Sequence, residues 1–311
     1  MNESASAAPP RILVIRGGAI GDFILTLPVL TALRERFPGA AIEVLGYPRI
    51  ATLALLGGLA KAVHAIESPG LAAFFARGGS SDLEWRDFFG QFAIVISYLY
   101  DPDGIFEENV KSCGPGQFIA APHRPDEAKS IHASDVFLKP LERLTIFGGD
   151  SVARLELPGP AKRENTVALH PGSGSESKNW PELNWRELLV HLLDHSPLDL
   201  LLVGGEAEGE KLQRLAKRLP GDRIEIAQHV PLQELAPRLA NCAGYIGHDS
   251  GLTHLASALG LPTLVLWGPS NEAVWRPLGE HVSVLNQHNT LADLTLGMVV
   301  EGINALELEQ C

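Results

Sequence analysis

Short runs of β-branched and aliphatic residues alternate with helix-patterned stretches along the whole chain. The alternation breaks once, at PGPAKREN near residue 160, and then starts again. Such alternation is the signature of parallel sheets joined by crossover helices, so the pattern predicts two doubly wound α/β domains in tandem. In the first half, strands are expected at residues 12–16, 42–45, 63–66 and 92–97, with helices over stretches such as 23–36 (Pro28 inside it) and 128–147. In the second half, strands are expected at 166–170, 198–203, 244–247, 263–267 and 281–285, with helices at 181–194, 207–219, 232–241 and 251–259. A last stretch, 290–306, carries Leu291, Leu294, Met298 and Ile303 at helical spacing and reads as a terminal amphipathic helix. The expected boundaries are an N-terminal domain 1–156, a linker 157–165, a C-terminal domain 166–289 and a terminal helix 290–311. Two domains also suit 311 residues, and each is long enough to bury a core.

Composition removes several classes. With 45% hydrophobic and 20% charged residues the chain is not a low-complexity disordered one. No apolar run reaches the roughly 18 residues of a membrane-spanning helix. The opening MNESASAAPP lacks the positive-then-apolar order of a secretion signal and reads as a short tail before the first strand. Cys113, Cys242 and Cys311 are scattered and show no C-x-x-C spacing, which speaks against a disulfide framework or a cysteine zinc site and for a reducing cytoplasm. The formal charge of −12 divides as −3 over residues 1–155 and −9 over 156–311, so no nucleic-acid partner is expected. Nothing in the sequence marks an oligomer interface, and no basic amphipathic helix is visible, so membrane contact is expected to be peripheral at most.

Three strand-to-helix turns carry the chemistry. In the first, Gly17-Gly18-Ala19-Ile20-Gly21-Asp22, glycines let the backbone bend and approach a ligand, and the helix beyond offers unpaired N–H groups. Its spacing is G-x-x-x-G, not the G-x-G-x-x-G of nicotinamide sites. Asp22 suits two readings, a carboxylate favoured by the helix dipole and a general base. In the second, His170-Pro171-Gly172-Ser173-Gly174-Ser175-Glu176-Ser177-Lys178-Asn179-Trp180-Pro181, Ser173 and Gly174 offer donors to phosphate oxygens and Lys178 a point charge. The alternative is an ordinary βα loop with a solvated lysine; the Walker pattern is not matched. In the third, Gly247-His248-Asp249-Ser250-Gly251-Leu252-Thr253-His254, Asp249, Ser250 and Gly251 sit at a helix start and form a second N–H-rich anion site.

His248 and His254 are not at i,i+4 spacing and no HExxH occurs, so no metal is expected there, and His254 also suits a plain helix residue bonded to backbone. Glu206 and Glu208 follow Gly204-Gly205 at a strand end, where a carboxylate accepts from ribose hydroxyls or merely occupies a first helical turn. Asp101-Pro102-Asp103 has the D-x-D form of a metal site but reads as a turn. Trp267-Gly268-Pro269-Ser270 closes a strand and shows no legible chemistry.

In order and placement, GGAIGD with TLP and FPGA, then HPGSGSESKNWP, GGEAE and GHDSGLTHLASALGLPTLVLWGPSN resemble glycosyltransferase family nine, the ADP-heptose heptosyltransferases. The likeness runs over residues 11–271. It implies the GT-B fold, two Rossmann-like domains facing across a cleft, with the acceptor on the first, the nucleotide sugar on the second, and the final helix packing back toward the first. It implies Asp22 as catalytic base, with Gly17, Gly18 and Gly21 forming an acceptor-side loop. Ser173 and Gly174 match the loop on the donor phosphates and Lys178 the phosphate-binding lysine; Glu208, in an open register with Glu206, matches the ribose acid. Val230 falls where backbone meets adenine, and Asp249, Ser250, Gly251 and His254 match the second phosphate-facing turn.

The implied reaction is a metal-independent, inverting transfer from an ADP-sugar, with no cofactor, to a lipopolysaccharide-type or other glycan acceptor, in the cytoplasm or at the inner face of the inner membrane. One departure stands out. Inner-core members grip an anionic acceptor, Kdo on lipid A, with Lys and Arg of the first domain, whereas residues 41–120 here hold five basic against nine acidic side chains. A neutral acceptor gains from that balance. The rival readings are a sugar-nucleotide epimerase, an NAD-dependent oxidoreductase and a non-catalytic nucleotide-sugar-binding module.

Overall fold

Strands buried on both faces read as continuous apolar runs, and the runs of this chain fold accordingly into parallel sheets. The computed structural model describes residues 9–79, 82–159, 164–287, 290–306 and 308. The expected tail, apart from residues 9–10, thus lies outside the described residues, as do residues 160–163 of the expected linker, residues 288–289, and residues 307 and 309–311 with Cys311. One sheet holds β1 (Arg11–Arg16), β2 (Ala41–Gly46), β3 (Ala62–Ala65), β4 (Ile94–Ser97) and β5 (Gln117–Ala120), in the order β3-β2-β1-β4-β5. The other holds β6 (Glu164–His170), β7 (Asp199–Gly204), β8 (Ile224–Gln228), β9 (Cys242–His248), β10 (Thr263–Trp267) and β11 (Val282–Asn286), in the order β11-β10-β9-β6-β7-β8. Every pairing is parallel.

Each sheet therefore has a point where the winding reverses, between β1 and β4 in the first and between β6 and β9 in the second. Open α/β sheets bind ligands in the crevice outside the carboxyl ends of those strands. Register sets the second crevice: His170 of β6 lies beside Gly247 of β9, so the loops that follow the two strands leave side by side.

Prolines account for two departures from the expected helices. The stretch expected at 23–36 is two helices, Ile20–Ile24 and Leu27–Arg36, because Pro28 has no N–H to continue the first and fits the opening turn of the second. The stretch expected at 128–147 is a 3₁₀ turn Glu127–Lys129, a helix Ala133–Leu138 and a 3₁₀ run Lys139–Leu144, interrupted at Ser130 (φ 49°) and Pro140. The terminal stretch forms a 3₁₀ turn Leu291–Asp293 and a helix Leu296–Asn304.

Contacts divide the chain into two compact units. The first, 1–19, 26–125 and 133–151, carries the β1–β5 sheet with Leu13, Ile15, Phe74, Phe89, Phe92 and Phe106 in its core. The second, 20–25, 126–132 and 152–311, carries the β6–β11 sheet around Val167, Leu169, Trp180, Trp185, Leu188 and Leu264. Leu291, Leu294, Val299 and Ile303 of the terminal stretch join this second core. Helix Ile20–Ile24 leaves β1 of the first sheet yet belongs to the second unit, where it packs on helix Gly251–Ala258. No helix among the described residues is long and apolar enough to cross a membrane.

Candidate active site

The loops leaving β6 and β9 meet through an ion pair. Lys178 closes a 3₁₀ turn, Glu176–Lys178, and its Nζ donates to Asp249 Oδ2 at 2.6 Å. The same oxygen accepts from Ser270 Oγ at 2.5 Å, and Trp267 Nε1 in turn donates to the Ser270 carbonyl at 2.9 Å. The Asp249 side chain is 9% exposed and that of Lys178 33%. A carboxylate repels phosphate, so an anion bound here would meet the Lys178 ammonium, which Asp249 holds in place.

Helix Gly251–Ala258 begins one residue after Ser250, whose Oγ caps it by accepting from Thr253 N at 3.4 Å. Its partner, Ile20–Ile24, comes so close that a Cβ on Gly251 would stand 2.6 Å from Ile20 Cβ and 3.0 Å from Gly21 N, while one on Gly21 would stand 3.2 Å from His254 Cδ2. Two glycines thus set the crossing, and the crossing brings Asp22 to the helix that carries Ser250 and His254. The buried His254 has its pKa pushed down to about 4 by burial, and it feels the charges of Asp249, His132, Asp22 and Lys178. Asp22, Lys178 and His254 all belong to the second unit. Gly251→Ala is expected to cost about 1–3 kcal/mol by overpacking, which denaturant unfolding measures.

Glu208 turns inward, whereas Glu206 is exposed. Glu208 Oε2 accepts from Gly205 N at 2.5 Å, Oε1 stands 3.4 Å from His170 Nε2, and that oxygen fills the space a Cβ on Gly172 would need. Burial opposes ionisation of Glu208, but the His170 ring and the backbone N–H outweigh it and hold the carboxyl below its ordinary value. His170 Nδ1 meets Ser250 Oγ at 3.1 Å, so a polar chain joins Glu208 to the cap of helix Gly251–Ala258.

Ser173 is buried and shapes its loop, its Oγ donating to the Ser175 carbonyl (2.7 Å) and meeting Asn179 Oδ1 at 2.8 Å; Gly174 is exposed with open space around it. Val230 lies half-buried between β8 and the helix Leu232–Ala240. Gly17 and Gly18 stay with the first unit, Gly18 at φ +98° and Gly17 against Leu99, so the acceptor-side glycines separate, Gly21 going with the second unit.

His248 is the residue whose role spacing did not reveal. Its ring is fully buried; Nδ1 donates to the Gly172 carbonyl (3.0 Å), and Nε2 accepts from Trp180 N (2.9 Å) and Trp185 Nε1 (3.3 Å). Burial pushes its pKa down to about 3, so the ring is neutral and clamps both ends of the Gly172–Trp180 loop. A polar residue closing an otherwise apolar strand was the available signal for both His170 and His248. Ser270 gave none. Asp101 forms a turn, its carboxylate accepting from Phe106 N (3.1 Å) and Glu107 N (2.9 Å). Among the described residues no group of three or more His, Cys, Asp or Glu is placed to hold a metal ion. A larger hollow, about 830 Å³, lies between Leu155, Pro237, Ala240, Leu259 and His281, in loops entering the strands. That is the wrong end of an open sheet for a substrate.

Comparison with known proteins agrees with this picture. The sequence model of Glycosyltransferase family 9 (heptosyltransferase) matches residues 142–298, just over half of the chain. Lipopolysaccharide heptosyltransferase 1 of Pseudomonas aeruginosa is 27% identical over 292 residues, covering 84% of this chain and 79% of that protein. Matches to heptosyltransferases 1 of Salmonella typhimurium and Escherichia coli reach 30–32% identity but span only 40–44% of those proteins. Among solved structures, Escherichia coli ADP-heptose lps heptosyltransferase II superposes with a TM-score of 0.78 at 17% identity, over 96% of this chain and 99% of that one. Escherichia coli heptosyltransferase WaaC with ADP-2-deoxy-2-fluoro heptose gives 0.74 at 21%, over 95% and 99%. These likenesses show the expected fold class, GT-B. With its second and third turns and its second sheet inside the matched span, the chain belongs to glycosyltransferase family 9, the heptosyltransferases.

Proposed function

We propose that this chain moves a heptose from ADP-heptose to a sugar of a bacterial lipopolysaccharide-type glycolipid, inverting the anomeric carbon without a metal. The observation that carries the reading is the Lys178–Asp249 ion pair beside the capped start of helix Gly251–Ala258, against which the short helix bearing Asp22 packs. Relatives named as lipopolysaccharide heptosyltransferases, and one solved with an ADP-heptose analogue, support the donor and the acceptor class.

Asp22 takes the proton of the acceptor hydroxyl as its oxygen attacks the anomeric carbon. The bond from that carbon to the diphosphate oxygen breaks, and its electron pair leaves on ADP. Lys178, held by Asp249, and the N–H groups at the start of helix Gly251–Ala258 stabilise the charge that develops there. Ser173 and Gly174 border the phosphates, Glu208 takes the ribose hydroxyls and backbone at Val230 meets the adenine. The enzyme works in the cytoplasm, touching the membrane through its acceptor.

The test is a nucleotide panel read by thermal shift. A ligand at 100 times its dissociation constant adds about 2.7 kcal/mol. ADP is expected to stabilise the protein and UDP, GDP and NAD to do so far less; a response to UDP or NAD alone points to an epimerase or an oxidoreductase and rejects the proposal. Lys178→Ala is expected to weaken ADP binding by roughly tenfold to a hundredfold, the loss of one charge-assisted contact of about 1.5–3 kcal/mol, and to slow transfer further. Unchanged ADP affinity in that variant removes Lys178 from the phosphate site.

A further inference from the structure

The first sheet carries a cavity of about 230 Å³ at the carboxyl ends of β4 and β5, one strand over from the point between β1 and β4 where its winding reverses. Its walls are Ser97 at the end of β4, Leu99 and Tyr100 beyond it, and Phe118, Pro122 and His123 around β5. At about 30 Å³ per water molecule this is room for seven or eight waters. That is smaller than the roughly 300 Å³ at which drug-sized sites begin, and on the scale of a single sugar ring.

The cavity is built. Tyr100, 68% exposed, stands with its ring 4.7 Å from that of His123 in an edge-to-face contact. The backbone of His123 is held from below: buried Arg16 donates to its carbonyl at 2.8 Å and lies over the Phe137 ring at 4.4 Å. Leu99 also backs Gly17, in the turn that leads along the chain to Asp22.

Its charge is unlike that of a site for a sugar acid. Among the described residues the lining includes Asp101 and Glu107 but no Lys or Arg. Asp101 is taken up by the start of helix Ile105–Lys111, and Glu107 pairs with Lys111 at 2.6 Å. Arg16 faces Phe137, and Arg124, next to His123 in the chain, does not line the cavity. An anionic ring entering here meets carboxylates and no cationic side chain, which opposes binding. A neutral ring meets an exposed aromatic face for its C–H groups and a hydroxyl and carboxylate oxygens for its own hydroxyls.

We propose that this cavity is the acceptor subsite and that it takes an uncharged pyranose, not a sugar acid, with Tyr100 as the stacking platform. The assignment rests on the transferase reading above and narrows it to a neutral acceptor sugar.

Ligand-detected NMR on the full chain saturated with ADP tests it, using the methyl pyranosides of glucose, galactose and mannose and the methyl glycoside of Kdo as probes. At least one neutral pyranoside is expected to bind, and the Kdo glycoside to bind at least about tenfold more weakly. Tyr100→Ala is expected to weaken the neutral ligand about tenfold, the worth of one aromatic face, and Tyr100→Phe to leave it unchanged. Binding of the Kdo glycoside as tightly as the neutral sugars, absence of any neutral binding, or wild-type binding by Tyr100→Ala overturns the subsite. If ADP still stabilises the same samples in a thermal shift, only the subsite fails; if ADP does not bind the wild type, the transferase reading fails with it.

Discussion

Asp22→Asn is expected to lower transfer by roughly 10²–10⁴-fold, the usual worth of a general base, with ADP affinity nearly unchanged. The substitution keeps size and the ability to accept a hydrogen bond at a helix start, and removes only basicity and charge. If Asp22 is merely a favourable first-turn carboxylate of helix Ile20–Ile24, the change costs a few tenths of a kcal/mol in stability and nothing in rate. The helix that carries Asp22 is one and a half turns long, breaks before Pro28 and packs through Gly21 and Gly251 on helix Gly251–Ala258. Acceptor-dependent ADP release measures the rate and calorimetric titration the ADP affinity. Full activity in Asp22→Asn assigns Asp22 to the helix start, while a joint loss of ADP binding makes it part of the donor site.

The turns were legible in the sequence because each closes an apolar strand, and a strand followed by small residues and a helix start has few other meanings. Lys178, Asp249 and Ser250 stood out on that ground, and the structure sets them side by side because β6 and β9 are neighbours. The strands that escaped notice, β5 and β8, lie at the open edges of their sheets. Edge strands have one neighbour and less apolar cover; IEIAQ of β8 keeps only Ala227 buried, so its composition signals little. Spacing also reports only what is near in sequence. That Ser270 holds Asp249, that His170 links Glu208 to Ser250, or that helix Ile20–Ile24 joins the second unit depends on the packing of distant segments. Pro28 and Pro140 were visible, but their consequence is decided by whether the chain can turn there, which their neighbours determine.

His248→Ala is expected to be the most destabilising of the single changes considered, by roughly 3–5 kcal/mol. The ring has no access to water and satisfies three groups at once: the Gly172 carbonyl, Trp180 N–H and Trp185 Nε1–H. Truncation leaves each of them buried without a partner, at about 1–3 kcal/mol apiece before relaxation. Glutamine, with a donor and an acceptor, is expected to recover part of the loss. The same ring makes the fold acid-sensitive. In the unfolded chain a histidine takes up a proton near pH 6.5, whereas the fold refuses one at His248 until about 3 and at His254 until about 4. Unfolded chains therefore bind more protons throughout the interval, and stability falls as pH drops below about 6.5. Between pH 7.5 and 5.5 each histidine contributes a loss of about 1 kcal/mol or slightly more. The carboxyls held low, Glu43, Glu182 and Glu208, add theirs only below about pH 4.5. Urea unfolding at the two pH values is thus expected to show a difference of about 2–3 kcal/mol in the wild type, and about half of that in His248→Ala. A pH-independent midpoint in the wild type, or an undiminished difference in the variant, means that His248 is not the neutral clamp of the Gly172–Trp180 loop.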